Sequence, residues 1–313
     1  MKAVVYNKKS APDKLSYKEV EKPLPNENEV LVKVVAVSVN AADYRSMKMG
    51  MIPKKKIFGA DISGKVESVG KNITQFKPGD EVMGDLAGFG FGGFAEYVVA
   101  PGKALIHKPA TLSHEDASCL SLAALTALQA LRNKGKIQKG HQVLIAGSGG
   151  GVGTFAVQLA NYFGARVTAV CSTRNVEQSK MLGADVVIDY TKEDFAKVAK
   201  RYNLIVAVNG NRALTTYRRM LAPNGIYVMV GGTLAQIFKS LILGWLFSFG
   251  GKKMVSLAAK ANPKDLEFLA TLAAEGVIKP VIDKRYPLDK TAEAMQYAGA
   301  GHARGKVVIH VEP

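Results

Sequence analysis

The chain has 313 residues, of which 48% are hydrophobic and 22% are charged, and it holds only two cysteines. This composition is typical of an ordinary folded protein of about two domains, and it excludes a disulfide-rich miniprotein, a collagen-like chain and a disordered chain. Lysine and arginine outnumber aspartate and glutamate by 42 to 26, so the net charge of +16 would attract phosphate-bearing ligands, nucleic acid or an anionic membrane without deciding among them.

The first third of the chain is rich in short β-branched segments separated by glycine and proline. Residues 1–6 have the pattern of a strand and not of a charged-then-apolar leader, so we expect no secretory signal. With so few cysteines, a reducing cytoplasmic location is expected. Residues 29–37, 64–70 and 93–99 read as further strands. Together these segments predict a mainly antiparallel β domain.

From about residue 121 the pattern changes. Residues 122–131 form a strong helix signal, and apolar strand segments then alternate with helical segments. The candidate strands are residues 142–146, 166–171, 186–188, 204–208, 226–230 and, less clearly, 254–257. Such alternation predicts a parallel, doubly wound sheet covered by helices. A helix (263–275), an extended piece (281–286), a second helix (290–298) and a last strand (306–311) are expected to follow.

The strongest local signal is a glycine-rich turn between the first of these strands and an amphipathic helix, with Gly147, Gly150 and Gly153 at its key positions. Such a turn brings backbone N–H groups and the positive end of a helix dipole to a pyrophosphate. It predicts dinucleotide binding, with a merely tight turn as the alternative. The residues assigned to this cofactor site are Ser148, Gly149, Gly150, Gly151 and Val152, with Asn209 and Gly231, which follow two later strands.

The end of the second strand of this sheet indicates which dinucleotide is bound. An NAD site usually has an acidic residue there, whereas residues 169–175 read AVCSTRN. Ser172 and Arg174 offer a hydroxyl and a guanidinium to a 2′-phosphate, so we predict NADP as the cofactor. The alternative is that Arg174 is a solvated residue at a helix start.

Further motifs occur along nearly the whole chain. They are residues 39–43 (VNAAD), 58–70 (FGADISGKVESVG), 77–82 (KPGDEV), 125–131 (LTALQAL), the 182–190 segment with LGAD and IDY, the 281–288 segment with VID and YPL, and 301–308 (GHARGKVV). On these motifs the chain resembles the zinc-independent quinone oxidoreductase branch of the medium-chain dehydrogenase/reductase superfamily. Within it, the ending is most similar to the group of the chloroplast-envelope quinone oxidoreductase homologue and the reticulon-interacting mitochondrial reductase.

The resemblance implies an α/β protein with a GroES-like β-rich catalytic domain and a doubly wound Rossmann domain. The catalytic domain would span residues 1–120 and be completed by 259–313, with the nucleotide domain at 121–258 and the active site between the two. Thr126 would approach the nicotinamide and Tyr190 the adenosine phosphate end. Several relatives carry a basic phosphate-binding residue at the position of Asn175, so Arg174 would take that role here.

The resemblance also bears on metal binding. The glycine-histidine-glutamate zinc motif of the related alcohol dehydrogenases corresponds to Gly59, Ala60 and Asp61, so the imidazole ligand is replaced by a methyl group. Two distant cysteines and five scattered histidines give no ligand spacing. We therefore expect no metal, and we expect Asp61 to be a buried hydrogen-bonding residue.

Without a metal, a reductase of activated C=C bonds or quinones needs preorganised donors for the substrate oxygen and a source of a proton. Asn40 and Tyr44 are the candidates for these catalytic roles. Asn40 could instead stabilise a turn through its own backbone. Family members with an active-site tyrosine carry it at the position of Arg45, so water is the alternative proton donor.

The apolar segment 234–256 contains the only tryptophan and is too short to span a bilayer. It could line the site of a small hydrophobic carbonyl or quinone substrate, pack in a homodimer interface, or contact an anionic membrane surface. The resemblance favours NADPH-dependent reduction of quinones or of activated C=C bonds. The alternative functions are an RNA-binding or membrane-surface role and zinc-type secondary alcohol dehydrogenation. No nucleic acid partner is expected, because no aromatic-and-basic motif is present.

Overall fold

The computed structural model describes residues 1–6, 15–51, 53, 55–197, 200–208, 212–231, 248 and 250–311. The chain divides into two compact units, of which unit 1 comprises residues 1–125 and 260–313 and unit 2 comprises residues 126–259.

Unit 1 is built on strands of high β-branched content. A two-stranded antiparallel ladder joins β1 (Lys2–Val5) to β2 (Ser16–Glu19). The larger sheet has seven strands, namely β3 (Glu29–Val39), β4 (Asp61–Val69), β5 (Glu81–Asp85), β6 (Tyr97–Pro101), β7 (Leu105–His107), β14 (Ile282–Pro287) and β15 (Lys306–His310). All its pairings are antiparallel except that of β14 with β15, which confirms the predicted antiparallel β domain.

The long strand β3 organises this sheet. One of its edges pairs with β6 over residues 29–33 and with β15 over residues 36–39, while the other edge pairs with β4. This pairing brings the last strand of the chain beside the end of β3, with Val307 opposite Val39. Buried side chains of β3, β4, β6 and β15 belong to one apolar core that includes Phe58 and Phe94.

Four helices complete the described part of unit 1: α1 (Ala41–Lys48), α2 (His114–Leu128), α6 (Pro263–Ala274) and α7 (Thr291–Gly299), of which α2 runs on into unit 2. Helix α2 begins eight residues before the predicted segment 122–131, because Ser113 and Asp116 cap it. The Ser113 hydroxyl accepts the N–H of Asp116 at 3.0 Å and donates to its carboxylate at 2.7 Å. After Leu128 a π-helical turn continues over Gln129–Lys134.

Unit 2 contains a six-stranded parallel sheet. Its strands are β8 (Gln142–Ala146), β9 (Arg166–Cys171), β10 (Val186–Asp189), β11 (Tyr202–Ala207), β12 (Leu221–Met229) and β13 (Lys253–Ser256), in the spatial order β10-β9-β8-β11-β12-β13. The helices α3 (Gly151–Tyr162), α4 (Val176–Met181) and α5 (Leu214–Met220) connect them. The predicted doubly wound sheet is confirmed, and the carboxyl ends of its strands lie at one edge.

The apolar segment 234–256 lies largely outside the described residues, of which it includes only 248 and 250–256. In the portion of the chain that the structure describes, no helix has the length and apolar character needed to span a membrane.

Candidate cofactor and active sites

The glycine turn lies between β8 and α3 at the carboxyl edge of the parallel sheet. Gly147 has a φ of +90°, a left-handed conformation that favours glycine. A Cβ on Gly153 would collide with the carbonyl oxygen of Gly147 and lie 2.7 Å from the Cα of Ser148. Glycine at position 153 therefore allows the first turn of α3 to pack on the strand-to-helix connection itself.

Ser148 is fully buried within this turn, which differs from the exposed position expected of a cofactor contact. Its backbone N–H donates to the carbonyl of Val170 at 3.1 Å, and its hydroxyl lies 3.0 Å from that of Ser179. These hydrogen bonds of Ser148 connect the glycine turn to β9 and to α4. Direct contact between Ser148 and a cofactor stays a prediction.

The next residues leave space on the side away from the sheet. An ideal Cβ on Gly150 would meet no described heavy atom within 4 Å, and Gly150 is the extended residue that precedes α3. Gly151 and Val152 open the helix, where backbone N–H groups have no acceptor within the helix. An open space lined by such donors fits a phosphate group. The residues at this turn are therefore suited to the pyrophosphate of a dinucleotide.

Asn175 is a residue at this site that we did not assign to cofactor binding from the sequence. A Cβ on Gly149 would lie 2.9 Å from the Asn175 Cβ, so the Asn175 side chain packs directly on the glycine turn. Its Nδ2 donates to the Ser172 hydroxyl at 3.4 Å, while its buried Oδ1 has no hydrogen-bond partner among the described residues. A buried acceptor without a donor costs free energy, so this oxygen is suited to a ligand donor. The available signal was its position, since relatives carry a phosphate-binding residue there.

The ends of β9 and β10 lie beside the turn. Ser172 is half-buried, and Arg174 and Tyr190 are exposed. The Asp189 carboxylate, at the end of β10, accepts the Thr173 hydroxyl at 2.6 Å and the Thr191 hydroxyl at 2.7 Å. These bonds, that of Thr173 foremost, hold the pKa of Asp189 below its ordinary value. The Asp189 carboxylate is therefore committed to stabilising the loop.

The remaining predicted cofactor residues are placed as follows. Gly231 follows β12 at the same edge, and its N–H lies 3.5 Å from the carbonyl oxygen of Ala207. Thr126 is buried in α2. Asn209 lies outside the described residues.

A second polar site is buried in unit 1, and we call Ser38, Asn40, Asp61 and Lys306 the Asp61 cluster. The Asp61 side chain is fully buried and that of Lys306 is 2% exposed, with the ammonium 3.4 Å from the carboxylate Oδ2. The same Oδ2 accepts the Ser38 hydroxyl at 2.7 Å and the Asn40 amide at 2.8 Å, while Oδ1 accepts the backbone N–H of Leu122 at 2.9 Å. The expectation that Asp61 is a buried hydrogen-bonding residue is confirmed.

Asn40 makes its side-chain bonds within this cluster. Its Oδ1 accepts the Lys306 ammonium at 2.7 Å, and its Nδ2 donates to the Ser38 carbonyl at 3.2 Å as well as to Asp61. The amide has two hydrogens, and both are used. A substrate oxygen could accept a hydrogen bond from Asn40 only if one of these two bonds were broken. The observed bonds match the alternative, a local structural role. The catalytic role of Asn40 stays a prediction.

Two more carboxyl groups surround this cluster. Asp43 accepts the N–H groups of Asn40 and Gly59 at 2.9 and 3.1 Å, which caps α1. Burial raises the pKa of Asp43 to about 7. Asp85 lies opposite Asp61 across β4 and β5, and burial together with the charge of Asp61 raises its pKa as well. Lys306 thus places a positive charge next to the buried carboxyl groups of Asp61, Asp43 and Asp85.

Tyr44 lies on α1, where its ring packs against α7. A Cβ on Gly299 would lie 2.6 Å from the ring Cε2 of Tyr44, so glycine at position 299 makes room for the ring. The ring also contacts the apolar core of unit 1. This packing fixes the position of Tyr44, and its role as a proton donor stays a prediction. Among the described residues no group of three or more metal-binding side chains occurs.

Comparisons with known proteins agree with this architecture. Residues 26–110 match the family model described as alcohol dehydrogenase GroES-like domain, and residues 182–309 match that described as zinc-binding dehydrogenase. The chain is 34% identical to the chloroplast envelope quinone oxidoreductase homolog of Arabidopsis thaliana, over 94% of this chain and 93% of the relative.

Two further matches cover nearly the same length. The chain is 32% identical to 2-methylene-furan-3-one reductase of Solanum lycopersicum, over 100% of this chain and 80% of that protein. The solved structure of the quinone oxidoreductase from Coxiella burnetii superposes with a TM-score of 0.90 at 29% identity, over 100% of this chain and 99% of that one.

Proposed function

We propose a specific activity for this chain, which belongs to the medium-chain dehydrogenase/reductase superfamily and is an oxidoreductase with a nicotinamide cofactor. It is an NADPH-dependent reductase of quinones or of the C=C bond of α,β-unsaturated carbonyl compounds. The names of the relatives support the substrate class, since one is a quinone oxidoreductase homolog and another reduces a methylene-furanone.

The observation that carries the cofactor choice is the end of β9. Ser172 and the exposed Arg174 stand where an NAD site would place a carboxylate. The nearby Asp189 carboxylate is held by Thr173 and Thr191, so it is directed into its own loop. A guanidinium can bind a 2′-phosphate with two parallel hydrogen bonds, which favours NADPH over NADH.

The chain's own groups have distinct tasks in this proposal. The N–H groups of Gly150, Gly151 and Val152 would bind the pyrophosphate, and Asn175 Oδ1 would accept a hydrogen bond from a ribose hydroxyl of the dinucleotide. Tyr190 would border the adenosine end, and Thr126 the nicotinamide end. When bound, NADPH supplies a hydride.

Zinc fits the Asp61 cluster poorly. The Asp61 carboxylate already accepts hydrogen bonds from three side chains and one backbone N–H, and the Lys306 ammonium lies against it. A divalent cation would have to displace those donors and would meet a buried ammonium. Ala60 also supplies no ligand atom where the related dehydrogenases have histidine. We therefore propose that reduction proceeds without zinc.

Without a metal, the substrate oxygen that gains negative charge needs hydrogen-bond donors, and a proton must reach the neighbouring carbon. We retain Tyr44 and Asn40 as the candidates, with water as the alternative proton source. For Asn40, one amide hydrogen would have to move from Ser38 or Asp61 to the substrate. A cytoplasmic location and a homodimer remain further predictions for this protein.

The proposal is tested by measuring the oxidation of NADPH with a panel of quinones, short enals and long-chain enones, repeated with NADH. We expect kcat/KM to be at least about tenfold higher with NADPH, since a charge-assisted bond to a phosphate contributes more than about 1.4 kcal/mol. Activity should persist after dialysis against a zinc chelator. Inactivity on every substrate, or activity restored only by zinc, would contradict the proposal.

A further inference from the structure

Unit 2 has a second concave surface, at a distance from the glycine turn. A cleft of about 480 Å³ lies between the connection from β10 to β11 and helix α5. Its polar lining consists of Asp194, Lys197, Arg201, Arg212, Thr216 and Arg219, and we call it the basic cleft. Four of these side chains are cationic and one is acidic. None of them belongs to the site proposed for NADPH.

One of the four cations, Arg212, has both an acidic and an aromatic partner. Arg212 Nη2 lies 3.0 Å from Asp194 Oδ1, and its guanidinium carbon lies 5.4 Å from the centre of the Phe195 ring. The same Asp194 oxygen accepts the N–H of Ala196 at 3.1 Å, which fixes the carboxylate in its turn. An arginine oriented in this way on an aromatic face presents its remaining N–H groups in a defined direction.

Two of the other cations lie toward the amino edge of the sheet. Arg201 directly precedes β11, and Arg219 lies in the last turn of α5, whose end leads into β12. The glycine turn lies at the carboxyl edge, and the six residues of β11 span about 20 Å at 3.3 Å per residue. The amino-edge end of the cleft is therefore separated from the cofactor site by roughly the length of a strand.

Another cation, Lys252, lies near Arg218 and Arg201. The Lys252 ammonium donates to the carbonyl of Arg218 at 3.0 Å. Burial, followed by the charges of Arg218 and Arg201, lowers the pKa of Lys252. Repulsion between neighbouring cations is relieved when an anion binds among them.

We propose that the basic cleft binds a small ligand carrying at least two phosphate groups. The cleft has a volume within the range of about 300 to 1,000 Å³ that is typical of small-molecule sites. Its cations stand around a concavity, so a compact ligand with several anionic groups can contact more of them than a single phosphate can. Guanidinium groups suit phosphate oxygens because they donate two parallel hydrogen bonds.

Binding of inorganic tripolyphosphate, followed by isothermal titration calorimetry, tests the proposal. The test variant is the double substitution Arg201→Gln with Arg219→Gln. The matched control is Lys18→Gln with Lys77→Gln, which removes the same charge at exposed positions of unit 1. We expect the test variant to bind at least about tenfold more weakly and the control to bind nearly as the parent does, at equal ionic strength and with unfolding temperatures unchanged.

Three results would overturn the proposal. The first is an equal loss in both variants, which would show that only the net charge matters. The second is loss of tripolyphosphate binding when the parent protein is saturated with NADPH, which would place the anion in the cofactor site. The third is that single-stranded DNA binds more tightly than tripolyphosphate with the same dependence on Arg201 and Arg219, which would indicate an extended surface. The titration of tripolyphosphate is performed without NADPH, so its result does not depend on whether the protein is an NADPH-dependent reductase.

Discussion

The two polar sites of this protein use their hydrogen-bonding groups in opposite ways. In the Asp61 cluster, the hydrogen bonds of Asp61 and the Asn40 side chain are made to other residues of unit 1. At the glycine turn, Gly150 faces open space and the Oδ1 of Asn175 has no donor among the described residues. The first site is closed on itself and the second is open to a ligand.

The difference teaches that burial of charge does not by itself mark a site of chemistry. Asp61 and Lys306 are the more buried and more highly charged groups, yet their bonds bind β3, β4 and β15 to one another. The groups with spare hydrogen-bonding capacity are backbone N–H donors at the glycine turn and the Oδ1 acceptor of Asn175, all in unit 2. Substitutions in the first site should therefore change stability, and those that fill the open space of the second should change cofactor affinity.

The largest effect is expected from Lys306→Met. It removes the cation that faces Asp61 and leaves Asn40 Oδ1 without its donor, and breaking a buried ion pair typically costs about 3–5 kcal/mol of unfolding free energy. Urea denaturation measures this loss. Lys22→Met is the control, because the Lys22–Glu67 pair is shorter, at 2.6 Å against 3.4 Å for Lys306–Asp61, but both of its side chains are more than a third exposed. This substitution should cost less than about 1 kcal/mol.

The double variant Lys306→Met with Asp61→Asn sharpens this prediction. Removing both charges leaves no uncompensated carboxylate, so part of the lost stability should return. If the double variant were as unstable as the sum of the two single variants, the ammonium and the carboxylate would not be coupled, and the closed character of the cluster would be refuted.

A matched pair of glycine substitutions should separate stability from binding at the open site. Gly153→Ala places a methyl group against the backbone of Gly147 and Ser148, and we expect a loss of about 1–3 kcal/mol in unfolding free energy. Gly150→Ala meets no described atom and has an allowed backbone conformation, so its unfolding temperature should not change. Its methyl group would occupy the space proposed for the pyrophosphate and weaken NADPH binding by about tenfold or more, measured by calorimetry.

The opposite pattern would be informative. If Gly150→Ala bound NADPH as the parent does, the pyrophosphate would not lie in this space, and the comparison between a closed and an open site would fail.

A smaller effect is expected from Arg174→Gln. Loss of the guanidinium should raise the KM for NADPH by about tenfold and leave that for NADH nearly unchanged, because only NADPH carries the 2′-phosphate. Steady-state kinetics with both cofactors measure the change. Lys180→Gln, an exposed cation on the following helix, is the control. A similar rise for both cofactors would refute the role of Arg174 in selecting NADPH.

The smallest effect concerns the pH dependence of stability. Burial raises the pKa of Asp43 to about 7 from an ordinary value of 3.8, and the pKa of Asp85 is also raised. A carboxyl group with a raised pKa holds its proton more strongly when folded. The stability contributed in this way is present below the unfolded pKa and is lost as the pH rises toward 7.

Asp85→Asn removes one of these groups and its repulsion with Asp61. We therefore expect the decline in unfolding free energy between about pH 4 and pH 7 to become shallower, measured by urea denaturation across that range. Asp289→Asn, at an exposed position of unit 1, is the control. An unchanged slope in Asp85→Asn would show that Asp85 is not a significant source of the pH dependence.

Most of the fold could be predicted from the sequence. The strands β8 and β9 have the predicted bounds, and the other strands of unit 2 differ by a few residues at their ends. Residues 122–131 are helical as predicted, and α2 begins earlier, at His114, because Ser113 and Asp116 cap it there. The glycine turn was recognisable because its glycines, its strand and its helix are contiguous in the chain.

The functional assignments of single side chains were less predictable. Ser148 belongs to the glycine motif, yet its hydroxyl faces Ser179, and Asn175 faces the turn although it was set aside as a missing basic residue. Asn40 was assigned to substrate because an amide is a suitable donor. Only its neighbours show that the amide hydrogens are already used.

Local sequence determined the elements of this protein, since the periodicity of apolar residues and the glycine turn depend on neighbours a few positions apart. The tertiary structure decided the partners of the buried charges. Lys306 meets Asp61 across 245 positions and Asn40 across 266, because β15 pairs with β3 at the end of the chain. Hydrogen-bond partners depend on distances of about 3 Å between such remote residues, and no local pattern encodes them.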